Sequence, residues 1–129
     1  MTPSTLYVCT TCRSSADAAP SADRPRAGER LLTAARERAT VDADPETRIV
    51  GVECLSNCSR GCTVAVAAPG KWTYVIGNLD GEQHAGDILA FARQHSAHET
   101  GVPVWREHPE HIRKNTIARV PPMNFQESS

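Results

Sequence analysis

The residues best suited to chemistry in this sequence are five cysteines, which fall into two groups. Cys9 and Cys12 lie in YVCTTCR, and Cys54, Cys58 and Cys62 lie in GVECLSNCSRGC, each four residues after the last. Thiolates are soft ligands that select zinc, copper(I) and iron–sulfur clusters. Ligation by four cysteines is usual for both [2Fe–2S] clusters and structural zinc. The sequence therefore predicts one four-thiolate site assembled from both groups.

The spacing of the cysteines leaves the bound species open. Structural zinc sites favour two close pairs with about two to four residues between the members of a pair, and Cys9/Cys12 and Cys54/Cys58 fit that rule. The small residues and the glycine in SNCSRG favour a cluster, because they let backbone N–H groups approach sulfur atoms. A [2Fe–2S] cluster and zinc are therefore both compatible with the pattern.

Composition narrows the class of protein. The chain has 129 residues and a net charge of -1, which gives no electrostatic basis for binding nucleic acid or an anionic membrane. It has no apolar run long enough to cross a bilayer, and MTPSTLYVC does not resemble a secretory signal. We expect a cytoplasmic protein, where thiols stay reduced and grouped cysteines indicate metal or redox chemistry.

The pattern of apolar residues predicts four strands and two helices in the order β-α-β-β-β-α. The predicted strands are residues 5–9, 47–54, 62–68 and 72–79, and the predicted helices are 28–39 and 84–97. The apolar stripe of the first helix consists of Leu31, Leu32, Ala35 and Ala39, and that of the second consists of Ile88, Leu89, Phe91 and Ala92. We expect one domain over residues 1–98 and an extended C-terminal tail over 99–129.

This order predicts an α/β fold with a four-stranded mixed sheet and a C-terminal extension. A strand–helix–strand unit implies a parallel pair with a right-handed crossover, and the later hairpin adds antiparallel strands. That is the layout of a thioredoxin-like domain. The cysteines fall at strand ends, so their loops can converge at one edge of the sheet.

Over residues 6–97 the sequence resembles the thioredoxin-like [2Fe–2S] ferredoxins. Cys9 matches the cysteine that ends their first strand, and CLSNCSRG matches the second half of their motif at Cys54 and Cys58. The stretch TVAVAAPGKWTYVIG matches their hairpin, including the aromatic pair Trp72 and Tyr74. The resemblance implies a [2Fe–2S] cluster, one-electron transfer to a redox partner protein, no catalysis, and a homodimer.

The chain is even more similar to a group of small bacterial proteins described as predicted metal-binding proteins. The group shares CTTCR, CLSNCSRGC and a tail of the form WRE…P…ARVPP. This second resemblance implies metal binding and, by association, a link to cobalt or cobalamin metabolism.

The ligand set implied by the ferredoxin resemblance is Cys9, Cys12, Cys54 and Cys58. In the ferredoxins the second cysteine lies well beyond the first, whereas here the long loop after Cys12 contains none, so Cys12 is the candidate. Cys62 lies near the place of a proline in those ferredoxins. It is a fifth ligand candidate, an alternate ligand in place of Cys12 or Cys58, or a buried cysteine that opens the third strand.

Three functions compete. The leading one is a non-enzymatic electron carrier, and the second is binding or delivery of zinc or another soft metal ion. His108 and His111, three residues apart in HPEH, could assist the second, or they are solvated tail histidines. The third is a thiol–disulfide oxidoreductase built on CTTC. Against it, the residues after Cys12 have a loop composition, so no helix N-terminus would activate the thiol.

The C-terminal tail supports two interpretations. It contains Trp105 and the basic residues Arg106, Arg113, Lys114 and Arg119, and Trp and Arg are enriched at interface hot spots. The tail therefore docks a partner or a second copy of the chain, or it packs over the sheet and covers one edge.

Overall fold

Eight helices and strands form the described part of the protein. The computed structural model describes residues 4–10, 27–41, 47–53, 62–79, 84–103, 106 and 108–123. In chain order the elements are β1 (Thr5–Cys9), α1 (Ala27–Val41), β2 (Arg48–Val52), β3 (Val64–Ala67), β4 (Thr73–Ile76), α2 (Ala85–Ala97), α3 (Glu110–Asn115) and β5 (Thr116–Val120). None of the helices in these ranges is long and apolar enough to span a membrane.

The strands form one mixed sheet in the order β2-β1-β3-β4-β5. β1 and β2 are parallel, and α1 connects them. β3 is antiparallel to both β1 and β4, and β5 is antiparallel to β4. The predicted α/β thioredoxin-like fold is confirmed, and each predicted strand is present within a few residues of its expected ends.

The sheet has five strands where the sequence predicts four, because the C-terminal segment adds β5. β5 pairs with β4, with Arg119 opposite Tyr74, and forms one edge of the sheet. The guanidinium of Arg119 lies 4.9 Å from the ring centroid of Trp72. An edge strand tolerates charge and flanking prolines, so TIARVPP lacks the apolar signature of a central strand. The segment predicted as an extended tail thus also holds α3, and it covers the free edge of β4.

The hydrophobic core lies between one face of the sheet and the helices. The sheet contributes residues that alternate onto a single face, chiefly Leu6, Val8, Val64, Val66, Tyr74 and Ile76. The predicted apolar stripes are confirmed. In α1, Leu31 and Ala35 are buried, with Leu32 and Ala39 packed against the core, and in α2 the buried residues include Ile88, Leu89, Phe91 and Ala92.

An aromatic group joins the C-terminal segment to this core. The rings of Tyr74 and Phe91 meet edge-on, with their centroids 4.9 Å apart. The centroid of the His108 ring also lies 4.9 Å from that of Phe91. His108 is only 6% exposed, and its Nε2 donates a hydrogen bond to the Pro103 carbonyl at 3.1 Å. The interpretation of His108 as a solvated tail histidine is therefore wrong. The His108 ring packs against the core residues Tyr74 and Phe91. The sequence HPEH does not predict this packing.

A second buried histidine, His95, links three elements at the end of the sheet where β1 begins. His95 is fully buried in α2. Its Nε2 lies 2.6 Å from the Trp72 carbonyl, and its Nδ1 lies 2.6 Å from the Ser4 hydroxyl. A carbonyl can only accept, so Nε2 carries a hydrogen. Burial favours the neutral imidazole, in which Nδ1 accepts from the Ser4 hydroxyl. The neutral imidazole therefore joins the starts of β1 and β4 to α2.

Lys71 completes this network beside His95. Its Nζ donates to the carbonyls of His95 at 3.2 Å and Ser96 at 2.6 Å, which satisfies acceptors in the last turn of α2. Burial lowers the pKa of Lys71 below its usual 10.5. Gly101, with φ of 77°, closes the site, because a Cβ there would lie 2.7 Å from the Lys71 Cβ and 2.8 Å from His95 Nε2.

We expect the free energy of unfolding to fall as the pH drops below about 6.5. Burial lowers the pKa of His95 below its usual 6.5, and the nearby Lys71 and His98 lower it further. Below the unfolded-state pKa of His95, the unfolded chain binds a proton that the folded chain does not. The contribution of His95 to the free energy of unfolding is therefore complete above the unfolded-state pKa and is lost as the pH falls toward the folded-state pKa. Urea denaturation at about pH 7.5 and about pH 5.5 measures the loss.

Two variants separate His95 from the other histidines in this test. His95→Gln should be less stable at the higher pH and should lose less stability on acidification. His111→Gln changes a histidine that stacks on His84, at the opposite end of α2 from His95, and should retain the slope of the native chain. An unchanged slope in His95→Gln would show that the acid sensitivity has another source.

Candidate metal centre

The described residues include two of the five cysteines, Cys9 and Cys62. The other members of the expected ligand set, Cys12, Cys54 and Cys58, lie outside the described residues, as does Trp105. The described part of the predicted site therefore consists of Cys9 and the strand ends next to the two cysteine segments.

Cys9 lies at the carboxyl end of β1, between two neighbouring strands. It pairs with Val52 of β2 in the parallel register, and its N–H donates to the carbonyl of Thr63, next to β3, at 3.1 Å. Its Sγ lies 3.9 Å from the carbonyl oxygen of Glu53. The residue is 1% exposed. This thiol is thus held in a protected position where β2 ends and β3 begins.

Thr10 fixes the direction in which the chain leaves β1. Its N–H and its hydroxyl both donate to the carbonyl of Val52, at 2.8 Å and 3.1 Å. Each bond anchors the start of the CTTC segment to the last residue of β2. The two cysteine-bearing segments therefore begin side by side at the same edge of the sheet.

The second cysteine segment returns to the sheet at Cys62. The N–H of Cys62 donates to the Leu79 carbonyl at 3.3 Å, and its carbonyl accepts from the Leu79 N–H at 3.1 Å. Cys62 is fully buried and belongs to the hydrophobic core. Glu53 at the end of β2 and Cys62 beside β3 thus bound the second cysteine segment, and the strand that carries Cys9 lies between β2 and β3.

The first turn of α1 packs directly against Cys9. A Cβ on Gly28 would lie 1.9 Å from the Cys9 carbonyl oxygen and 3.0 Å from the carbonyl carbon of Thr10. A second close approach occurs at Gly51, where a Cβ would lie 2.9 Å from Leu32 and 3.0 Å from the Thr10 methyl group. The two glycines let α1 lie close against the strand ends that carry the cysteine segments.

Sequence reasoning missed the role of these glycines, although one signal was present. Gly28 lies within the predicted helix 28–39, where glycine costs about 1 kcal/mol relative to alanine. A glycine at the start of a helix that follows a long loop is consistent with close backbone packing. Only the structure shows that the neighbour is Cys9.

The two histidines of HPEH have different partners. The His111 ring stacks on His84 at 3.7 Å, its Nε2 donates to the Asn78 carbonyl at 2.8 Å, and its Nδ1 lies 3.4 Å from the Asn115 amide nitrogen. His108 bonds elsewhere, to Pro103. In the part of the chain that the structure describes, no three metal-ligating side chains cluster together.

Comparison with known proteins gives a family whose description carries no activity. Residues 6–122 match the family described as "Protein of unknown function (DUF1636)". The chain belongs to this family. No curated protein matches the sequence.

Solved structures agree with the fold. A thioredoxin-like [2Fe–2S] ferredoxin from Aquifex aeolicus matches with a TM-score of 0.56 and 20% sequence identity, over 97% of this chain and 100% of that chain. The crystal structure of the wild-type ferredoxin described under the same name matches with a TM-score of 0.54 and 20% identity, over 92% of this chain and 99% of that one. At this identity the similarity establishes the thioredoxin-like fold.

We expect Gly28→Ala to lower the free energy of unfolding by about 1–3 kcal/mol, the usual cost of overpacking. The new methyl group would collide with the backbone of Cys9, which cannot rotate away as a flexible side chain can. Gly86→Ala is a matched control, since Gly86 is likewise the second residue of its helix, α2. A Cβ there would meet only the Arg38 guanidinium, at 3.5 Å.

Urea denaturation of both variants tests this contact. Gly86→Ala should be neutral or stabilising, because alanine favours helix and the Arg38 guanidinium lies at ordinary van der Waals distance. Equal effects of the two substitutions would contradict a special contact between Gly28 and the Cys9 strand end.

Proposed function

We propose that this protein is an electron carrier that holds one [2Fe–2S] cluster through the thiolates of Cys9, Cys12, Cys54 and Cys58. It acts in the cytoplasm, passes one electron to or from a redox partner protein, and performs no catalysis of its own. The observation that carries the proposal is the position of Cys9 at the sheet edge, between the strand ends that bound residues 54–61.

Covalent geometry supports bringing the four thiolates together. Consecutive Cα atoms are 3.8 Å apart, so Cys12 lies within about 11 Å of Cys9, and Cys54 lies within about 8 Å of Val52. Val52 is itself the residue paired with Cys9. Two of the three further ligands are thus tethered close to the first thiol by the β1–β2 pairing.

The surroundings of Cys9 suit a thiolate ligand. Its near-complete burial would shield a cluster on one side, which is one of the factors that set reduction potential. The amino-terminal turn of α1 packs against the backbone of Cys9, so a helix N-terminus lies beside this residue although the loop composition after Cys12 did not predict one. The positive end of a helix dipole stabilises a nearby thiolate. These contacts favour a negatively charged sulfur ligand at this edge.

The bound group would supply the electron chemistry, and the chain would supply position and partial burial. β1 holds the first thiolate in the core, and the hydrogen bonds from Thr10 to Val52 keep the two cysteine segments adjacent. An electron carrier of this kind needs an exposed edge for a partner and no substrate pocket. The shared fold with thioredoxin-like [2Fe–2S] ferredoxins supports the same conclusion.

The first test is the visible absorption spectrum of the protein purified without air, with iron, sulfide and zinc measured on the same sample. We expect a brown protein with about two irons and two sulfides per chain, bleached by dithionite. If cluster is lost during purification, reconstitution with iron and sulfide should restore the spectrum. A colourless protein with about one zinc per chain and no sulfide, which iron and sulfide do not convert, would overturn the proposal in favour of metal handling.

The ligand assignment is tested by a pair of cysteine variants. Cys12→Ser should lose the cluster or shift its spectrum, because an oxygen replaces a ligand sulfur. Cys62→Ala should retain the spectrum of the native protein, since Cys62 belongs to the apolar core. If Cys62→Ala loses the cluster and Cys12→Ser retains it, Cys62 is the fourth ligand in place of Cys12. Circular dichroism of both variants confirms that the fold persists.

A further inference from the structure

The chain that follows β4 contains a β-bulge opposite the end of the second cysteine segment. Val64 of β3 pairs with Ile76, and Cys62 exchanges two backbone hydrogen bonds with Leu79. Two residues on the β4 side, 77–78, thus lie opposite the one residue between Cys62 and Val64, which defines a bulge. Bulges are frequent beside functional sites, where they redirect side chains. This one lets the pairing of β3 with the β4 chain continue as far as Cys62.

The bulge depends on the backbone conformation of Asn78. Among the described residues, Asn78 is the one non-glycine residue with a positive φ, which is 53°. Asparagine adopts this left-handed conformation more readily than most residues. Because of the extra residue, Ile76 and Leu79 both belong to the hydrophobic core, while Asn78 is exposed. The bulge therefore buries Leu79 and leaves Asn78 outside the core.

Three hydrogen bonds join the bulge to the end of α3. The N–H of Gly77 donates to the Asn115 carbonyl at 3.1 Å, and the side-chain nitrogen of Asn78 donates to Asn115 Oδ1 at 3.0 Å. His111 Nε2 donates to the Asn78 carbonyl at 2.8 Å. The Asn115 carbonyl is one of those that a helix end leaves without a partner inside the helix, and the bulge supplies one. We call Gly77, Asn78, His111 and Asn115 the Asn78 junction.

Further contacts brace the junction within the helical layer. The side-chain nitrogen of Asn115 donates to the His111 carbonyl at 2.9 Å. The His111 ring stacks on the ring of His84, the N-cap residue of α2, with centroids 3.7 Å apart. The junction thus connects the bulge to both α2 and α3. In this way the C-terminal segment is linked to the residues that pair with Cys62.

Both ends of the second cysteine segment are held at the edge of the sheet. Next to its start, Thr10 donates twice to the carbonyl of Val52 in β2. At its end, Leu79 both donates to Cys62 and accepts from it. Fixing the two ends of a loop removes conformations that would otherwise oppose the binding of a ligand. A contact that holds Leu79 therefore limits how far the end of the second cysteine segment can move.

We propose that the Asn78 junction is a positioning element for the cluster, through which the C-terminal segment holds the end of the second cysteine segment in place for ligation. This inference rests on the proposed function, since it concerns the same cluster. The residues of the junction are not ligands, and they act through Leu79 and Cys62. Holding the segment slows the loss of the cluster and limits its exposure to solvent, on which its reduction potential depends.

Two variants weaken the junction, and a third is their matched control. Asn115→Ala removes the oxygen that accepts from the Asn78 side chain. Asn78→Gly removes the same hydrogen bond while permitting the positive φ, and it remains informative if Asn115→Ala does not fold. Thr116→Val changes the residue next to Asn115 and also removes one hydrogen bond, from the hydroxyl to the Ile112 carbonyl at 2.7 Å, outside the junction.

The first measurements are the rate of cluster loss to an excess of iron chelator, followed by visible absorbance, and the midpoint potential. Asn115→Ala and Asn78→Gly should each lose the cluster about fivefold faster than the native chain, the change expected for one hydrogen bond. Their midpoint potentials should shift by about 30 mV, a threefold change in the reduction equilibrium at about 59 mV per factor of ten. A role confined to folding stability would leave the potential unchanged. Thr116→Val should match the native chain in both measurements.

Hydrogen exchange of the full-length protein as purified, followed by mass spectrometry, tests the junction itself. Exchange at residues 77–79 should be faster in Asn115→Ala and Asn78→Gly and unchanged in Thr116→Val. Unchanged exchange in the two folded junction variants would overturn the proposal. So would faster exchange with native rates of cluster loss and native potentials, because the junction would then stabilise the fold alone. A native chain that binds no cluster even after reconstitution would instead refute the proposed function and, with it, this inference. Circular dichroism identifies which variants are folded.

Discussion

The parallel pairing of β1 with β2 is the constraint on which the rest of the structure depends. A parallel pair brings the carboxyl ends of its two strands to one edge, so Cys9 and Val52 are neighbours there. The same pairing requires a crossover, which α1 provides. The crossover helix runs antiparallel to the two strands, so α1 begins near the carboxyl end of β1. Its first turn therefore contacts the Cys9 backbone, and the absence of a side chain at Gly28 makes that contact possible.

The two ends of the sheet perform different tasks. At one end the strand termini lead into the cysteine segments, and polar contacts such as those of Thr10 hold β1 against β2. At the other end His95, Ser4 and Lys71 form a buried polar network that fixes α2 to the starts of β1 and β4. A buried network in which each donor has an acceptor is rigid, and it stabilises the end of the sheet remote from the thiols.

The chain uses the C-terminal segment to complete the inner layer. Ile112 of α3 enters the core, and the His108 ring packs on Phe91 beside Tyr74. β5 then covers the edge of β4, which would otherwise present unpaired backbone groups.

The sequence by itself determined the α/β order, the four central strands, the two long helices and their apolar stripes, because these depend on local periodicity. It also identified the thiols and the parallel pairing that groups them. Only the tertiary structure decided that β5 joins the sheet, that His95 and His108 are buried, and that Gly28 touches Cys9. These features depend on contacts between residues distant in the chain, and neither composition nor periodicity encodes them. A histidine becomes a core residue only where the fold supplies its hydrogen-bond partners, as Trp72 and Ser4 do for His95.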